Sequence, residues 1–171
     1  MNNYLISQGL VILATIFISV TYFEKNRKNI LILFISYSVL YGIHYLLLSA
    51  LTGFFMNMVS IGRNIIFYRH EKKKQENSIY FLIILFIIII LFGVFSYNDM
   101  FSIISMSASL LSTYSIWQRN IKVYRVLAII VSICFIIYAI HINSLFAIIT
   151  EVILLMAEFI GILLLVLKKG K

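Results

Sequence analysis

The sequence has one cysteine, no proline and seven glycines among 171 residues, and only 12% of it is charged. A single thiol, Cys134, excludes an internal disulfide and gives no reading of redox compartment. The glycines stand singly, so there is no phosphate-cradling loop and no dinucleotide fingerprint. Neither an HExxH run nor a nucleophile-and-base constellation is present. The shortage of charge excludes a soluble domain of this size, whose surface would need about a quarter of its residues charged. What the chain has instead is 63% hydrophobic residues and a mean hydropathy of +1.05. That is the composition of a membrane protein, and its partner is the lipid bilayer.

At about 20 apolar residues per span, the chain has room for roughly seven spans and no soluble domain. Continuous runs such as residues 83–91 exclude the short alternating strands of a transmembrane barrel, so the spans are expected to be helices. Polar breaks place them at about residues 3–23, 30–49, 51–68, 79–97, 100–117, 126–142 and 144–167. The N-terminal stretch has no basic n-region and reads as mature sequence.

The breaks alternate in charge. Thirteen of the 14 Lys and Arg lie in four of them, at residues 24–28, 69–74, 118–125 and 168–171, and the fourteenth is Arg63 inside a span. The N-terminus and the breaks near residues 49–53, 96–99 and 143–144 carry none. Because Lys and Arg stay on the cytoplasmic side, the N-terminus is expected outside and the C-terminus inside. The net charge of +8 is thereby explained without a nucleic-acid partner. Tyr22, Phe23, Tyr68, Tyr97, Tyr114 and Trp117 near the span ends read as interfacial belts.

Self-comparison suggests an internal repeat. Residues 24–28 match 118–122 at an offset of 94, which also sets Thr15 on Ser109, Ala14 on Ala108 and Gln8 on Ser102. Tyr41-Gly42-Ile43-His44 matches Tyr138-Ala139-Ile140-His141 at an offset of 97, with the extra three residues assigned to the basic loop. The offset then returns to 94, placing Asn57 on Glu151 and Asn64 on Glu158. The expectation is an all-α polytopic protein of seven helices in a 3+1+3 order. A first three-helix repeat occupies residues 1–77, a greasy linker helix 78–97, and a second repeat in the same orientation 98–171.

That arrangement resembles the SWEET and PQ-loop transporter superfamily. Within it, Tyr41-Gly42-Ile43-His44-Tyr45-Leu46-Leu47, followed by Thr52-Gly53, Asn57, Arg63 and Phe67-Tyr68-Arg69, is similar to the bacterial inner-membrane YgjV-type family. The resemblance implies a multi-pass protein of the bacterial inner (cytoplasmic) membrane. In SWEET relatives two asparagines on the third and last spans line the sugar pocket; here Asn57 fills the first position and Glu151 stands at the second. Those relatives also hinge at helix prolines, which this chain lacks.

Ionisable groups inside a bilayer cost about 2.5–3.5 kcal/mol each on insertion scales, and they face a cavity or a partner. His44, Arg63, His141, Glu151 and Glu158 are the five candidates. Glu151 and Glu158, two helical turns apart, share a face with Ala147, Leu154 and Gly161; Asn57, Ser60 and Asn64 form the related face of the third span. The expected pathway has Asn57, Ser60, Asn64 and Glu151 contacting a solute near mid-bilayer. Arg63 and Glu158 are expected to pair as an inner constriction, or as a permanent structural pair. A carboxyl out of water favours its protonated form, so Glu151 or Glu158 is also a candidate proton carrier. The pairs Tyr41/His44 and Tyr138/His141 read either as an outer gate or as interfacial hydrogen-bonding groups. Ser102, Ser105, Ser109 and Ser112 form a hydroxyl stripe of the kind that brings helices close.

The leading expectation is a facilitative or proton-coupled transporter of a small neutral solute, sugar-like or another metabolite, working by alternating access without a cofactor or metal. A non-transporting regulatory or structural membrane protein and an intramembrane enzyme are the alternatives. A homo-oligomer is left open.

Overall fold

The computed structural model describes residues 2–22, 24 and 26–167, with side chains as far as residue 163. Phe23, Lys25 and the basic run 168–171 lie outside the described residues. Seven helices follow one another: α1 (Asn2–Val20), α2 (Arg27–Leu47), α3 (Leu51–Lys72), α4 (Ile79–Phe95), α5 (Met100–Trp117), α6 (Ile121–His141) and α7 (Leu145–Leu167). Five of them, α1, α2, α5, α6 and α7, are long and apolar enough to cross a membrane. The apolar α4 is shorter, at 17 residues, and α3 runs for 22 but carries Asn57, Arg63 and Asn64.

The helix ends are built from polar residues in place of glycine and proline. Asn26, Ser78, Asp99 and Asn120 each stand at an N-cap, their side-chain oxygens accepting amides of the first turn. Ser49, Lys74 and Asn143 take left-handed backbone, with φ of 56°, 56° and 53°. The amide after each reaches back to the carbonyl five residues earlier: Ala50 to Tyr45 at 2.9 Å, Gln75 to His70 at 2.9 Å and Ser144 to Ala139 at 3.0 Å. These are Schellman endings, usually made with glycine.

The caps correct two readings. Asn120 starts α6 at Ile121, five residues before the expected span, so Arg125 is a helix residue and not part of a loop. Helices α2 and α6 each have 21 residues, follow Asn26 and Asn120, and end at the turns of Ser49 and Asn143, all 94 apart. The offset of 97 for the two Tyr-x-x-His pairs therefore does not hold: Tyr138 shares its place with His44, and His141 with Leu47.

The helices form a ring. α2 lies between α1 and α3, α6 lies between α5 and α7, and contacts of α3 with α5 and of α1 with α7 close the circle. α4 packs outside the ring against α3 and α5, through Leu82, Leu85, Ile89 and Gly93. Bulky apolar side chains cover the exterior, among them Ile16, Ile84, Leu91, Ile133 and Phe159. Polar residues are buried instead, including Gln8, Asn64, Arg63, Glu151 and Glu158. This inverted distribution suits a lipid solvent.

The two ends differ. At the end holding the short breaks, an aromatic and small-residue core of Val11, Ala14, Tyr41, Tyr45, Tyr138, Ala139 and Ala147 fills the ring. At the basic end Glu71 lies 3.5 Å from both Arg27 and Arg119, and Arg27 donates to the Ile116 carbonyl at 2.9 Å.

Gly53 permits the closest approach in the short-break core. A methyl there would lie 2.7 Å from the Tyr45 ring, which is itself held 5.7 Å from the rings of Tyr41 and Tyr138. Gly53→Ala is expected to cost about 1–3 kcal/mol by overpacking, read as a lowered unfolding temperature in detergent. Gly62→Ala, where nothing lies within 4 Å, is the neutral control.

Asp99 caps α5 through a reciprocal box with Ser102 and meets His141 Nε2 at 2.7 Å. Desolvation opposes its ionisation, but the Ser102 amide, the His141 ring and the Phe101 amide outweigh it and hold the carboxyl below the usual value of 3.8. A depressed carboxyl contributes its stability above the ordinary value and loses it as pH falls through the lowered one. Asp99→Ala is expected to cost about 0.5–2 kcal/mol at pH 5, with the gap from wild type closing below pH 3.8; an unfolding series against pH measures it.

Candidate functional site

All six ring helices contribute to one central cavity, with about 130 Å³ open to the centre of a water molecule. α4 contributes nothing to it. Tyr41, Tyr45, Asn57 and Glu151 line it toward the short breaks, and Thr21, Tyr22, Ser115, Tyr124 and Glu158 toward the basic ones. A second space of about 260 Å³ shares Tyr22, Ser115, Tyr124 and Glu158 with it and continues to Glu24, Arg27, Arg119 and Arg125. The cavity thus leads to the basic end of the ring.

The opposite end is closed by hydrogen bonds between helices that are distant in sequence. His44, fully buried, places Nδ1 3.1 Å from the Ser7 carbonyl and Nε2 3.2 Å from Ser144 Oγ. Gln8 accepts from the Phe146 amide at 3.1 Å, Thr52 donates to the Ser96 carbonyl at 2.7 Å, and the Gly53 amide donates to Tyr138 Oη at 3.1 Å. His44 and Tyr138, which hold the same place in α2 and α6, each tie their own helix to the other half of the ring.

Asn57, Ser60, Arg63, Asn64, Glu151, Glu158 and Tyr41 all line the cavity. The reason is periodicity. Seven-residue spacing on α3 and α7 keeps Asn57 with Asn64 and Glu151 with Glu158 on single faces, and the ring turns both faces inward. His44, Tyr138 and His141 are not part of the lining; the first two belong to the closure, and His141 lies 35% exposed, paired with Asp99 and stacked on Phe101 at 4.0 Å.

This chain matches the family of bacterial inner membrane proteins Imp-YgjV over residues 5–169. It belongs to that family. No curated protein and no solved structure matches it.

The pairing expected between Arg63 and Glu158 is absent from this Imp-YgjV chain. Glu158 takes Arg125 instead, Nη1 to Oε2 at 2.8 Å, and accepts from Tyr22 Oη at 3.4 Å. Arg125 reaches it because α6 starts early and because Gly161, on the same face of α7, leaves the guanidinium room; a β-carbon there would fall on it. Arg63, 4% exposed, donates to neutral groups: Asn64 Oδ1 at 3.2 Å, Ser112 Oγ at 3.3 Å and Thr113 Oγ1 at 3.0 Å. Glu151, equally buried, accepts from Tyr37 Oη at 3.3 Å and has Ser132 as its other hydroxyl neighbour.

Several members of the site were not singled out in the sequence. Tyr37 and Tyr45 flank Tyr41 at four-residue spacing along one face of α2, a signal lost among 11 tyrosines. Tyr22 reads as a belt residue and Arg125 as a loop charge until the helix bounds are known. Ser112 belongs to the hydroxyl stripe of α5, yet it serves Arg63 and lines the cavity. Among the described residues, no three His, Cys, Asp or Glu gather as a metal site would require.

Removing one member of a buried ion pair strands the other. Arg125→Gln is expected to destabilise the protein at the low end of the roughly 3–5 kcal/mol typical of such losses, since Arg125 keeps some exposure. Adding Glu158→Gln should recover most of it. A double-mutant cycle by thermal unfolding checks both, and strict additivity would mean that the pair is not coupled.

Proposed function

We propose that this inner membrane protein is a small transporter which carries a net-neutral polar solute, sugar-like or another metabolite, by alternating access. The observation that carries the reading is the central cavity, open to the basic end and shut at the other by a hydrogen-bonded plug. This is the form expected of a carrier caught with one gate closed. Hydroxyls, amides and tyrosine faces dominate the wall, with Asn57, Ser60, Asn64 and Glu151 as the solute contacts. Arg63, Glu158, Tyr41 and the plug residues His44 and Tyr138 serve gating or coupling, with His141 outside the plug on Asp99.

The cyclic order of neighbours supports two like-oriented triplets, α1–α3 and α5–α7, joined by α4 as in the SWEET and PQ-loop superfamily. Equal helix lengths and the constant 94-residue separation of caps and turns support it further. The positive-inside rule, applied to the basic breaks, favours an open end at the cytoplasm and an N-terminus outside. The route is passive or proton-driven, involves no catalysed reaction, and needs no cofactor.

Site-directed labelling tests the access this reading requires. In a Cys134→Ser background, Ser115→Cys toward the basic end should react with an impermeant thiol reagent from the cytoplasmic face only. Ala147→Cys in the plug should react from neither face until the carrier turns over. Labelling of Ser115→Cys from the periplasmic face alone would reverse the orientation, and equal labelling from both faces would end the alternating-access reading.

A further inference from the structure

Resting on that transport reading, we infer that the solute is a zwitterion, an amino acid or its close chemical kin, held with its ammonium at Glu151 and its carboxylate at Arg63. The two charges are the ones that the protein leaves unbalanced. Glu158 has Arg125, whereas Glu151 and Arg63 have no oppositely charged partner among the described residues. Both are 4% exposed and both line the cavity. Two buried opposite charges held apart are costly unless something of matching charge completes them. A solute with no net charge but two charged ends does so without adding charge to the bilayer interior.

The two charges lie at different depths in the ring. α3 and α7 start at the same end of the ring, with Leu51 and Leu145 as first residues, so Glu151 lies six residues into its helix and Arg63 twelve. The difference in depth is about 9 Å at 1.5 Å per residue. Arg63 therefore stands nearer the basic end and Glu151 nearer the plug, so that one solute in the cavity meets a guanidinium on one side and a carboxylate on the other, each able to form a charge-assisted hydrogen bond.

The surroundings of each charge agree. Beside Glu151 the rings of Tyr37 and Tyr41, 4.5 Å apart, and of Tyr45 form an aromatic wall of the kind that attracts an ammonium. Tyr41 is 2% exposed, and its hydroxyl makes no hydrogen bond although Tyr37 and Thr150 are its polar neighbours. Beside Arg63, Nη2 donates to no described residue, and the fully buried Asn64 keeps its Nδ2 without an acceptor. The guanidinium and the amide together offer the forked donors that a carboxylate takes.

The test uses the full chain, purified in detergent for thermal unfolding and in proteoliposomes for uptake. The probes are a panel of L-α-amino acids, the amine and the carboxylic acid corresponding to each, and glucose. The expected result is that one or more amino acids raise the unfolding temperature and enter the vesicles, while the matching amine, acid and glucose do neither. Glu151→Gln and Arg63→Gln should each weaken that response by roughly 30-fold or more. Gly62→Ala, outside the cavity lining and with nothing within 4 Å of its position, serves as a folded control that keeps the charge pair, and Arg63→Lys should retain part of the response should Arg63→Gln fail to fold. Uptake of glucose without any amino acid overturns the zwitterion and leaves the transport reading standing. An amine or acid acting as well as its amino acid overturns it likewise. No stabilisation and no uptake with any probe overturns the zwitterion and the transport reading together.

Discussion

A charge inside a hydrocarbon layer has no water to turn to, and every placement of polar residues in this protein follows from that. Glu151, Glu158 and Arg63 lie within helices whose outer faces are Ile, Leu and Phe, and each is buried to within 4% of complete. The faces that carry them have to look inward. Six helices satisfy this by closing a ring, and the apolar α4, which has no such face, remains outside it.

Inside the ring the three charges are treated differently with depth. Near the basic end Glu158 has a full counter-ion in Arg125. Further in, Arg63 has only an amide and two hydroxyls, and deeper still Glu151 has a tyrosine. A permanent bundle would gain by matching Arg63 to Glu158 and removing Glu151. The observed order leaves Glu158 neutralised near the basic end and Arg63 and Glu151 with neutral partners further in. The cavity between them adjoins a second space lined by Arg27, Arg119 and Arg125.

The other end depends on close approach. Gly53 lets the Tyr45 ring pack onto α3, and Ser144 and Thr52 are short enough to bond across helices instead of holding them apart. Such contacts are individually modest, roughly 0.5–1.5 kcal/mol each for a neutral hydrogen bond. A plug made of several of them is held by many small contributions and not by one strong bond.

Much of this was legible in the order of residues alone. Runs of about 20 apolar residues give helices because only internal hydrogen bonds satisfy a backbone in lipid, and seven-residue spacing on α3 and α7 gives the inward stripe of Asn57, Asn64, Glu151 and Glu158. Which charges meet was not legible. Arg125 looked like a loop residue because the Asn120 cap that extends α6 past it becomes visible only with the backbone, and the space that Gly161 leaves for it depends on how α6 lies on α7. His44 and His141 have the same local motif, but one is buried in the plug and the other lies on Asp99, because helix ends and not motifs set the register. Hydrophobic pattern determined which segments span and which faces turn inward, since burial depends on local periodicity; partnership among the buried charges was decided by tertiary structure, since it depends on distances between helices that no single segment contains.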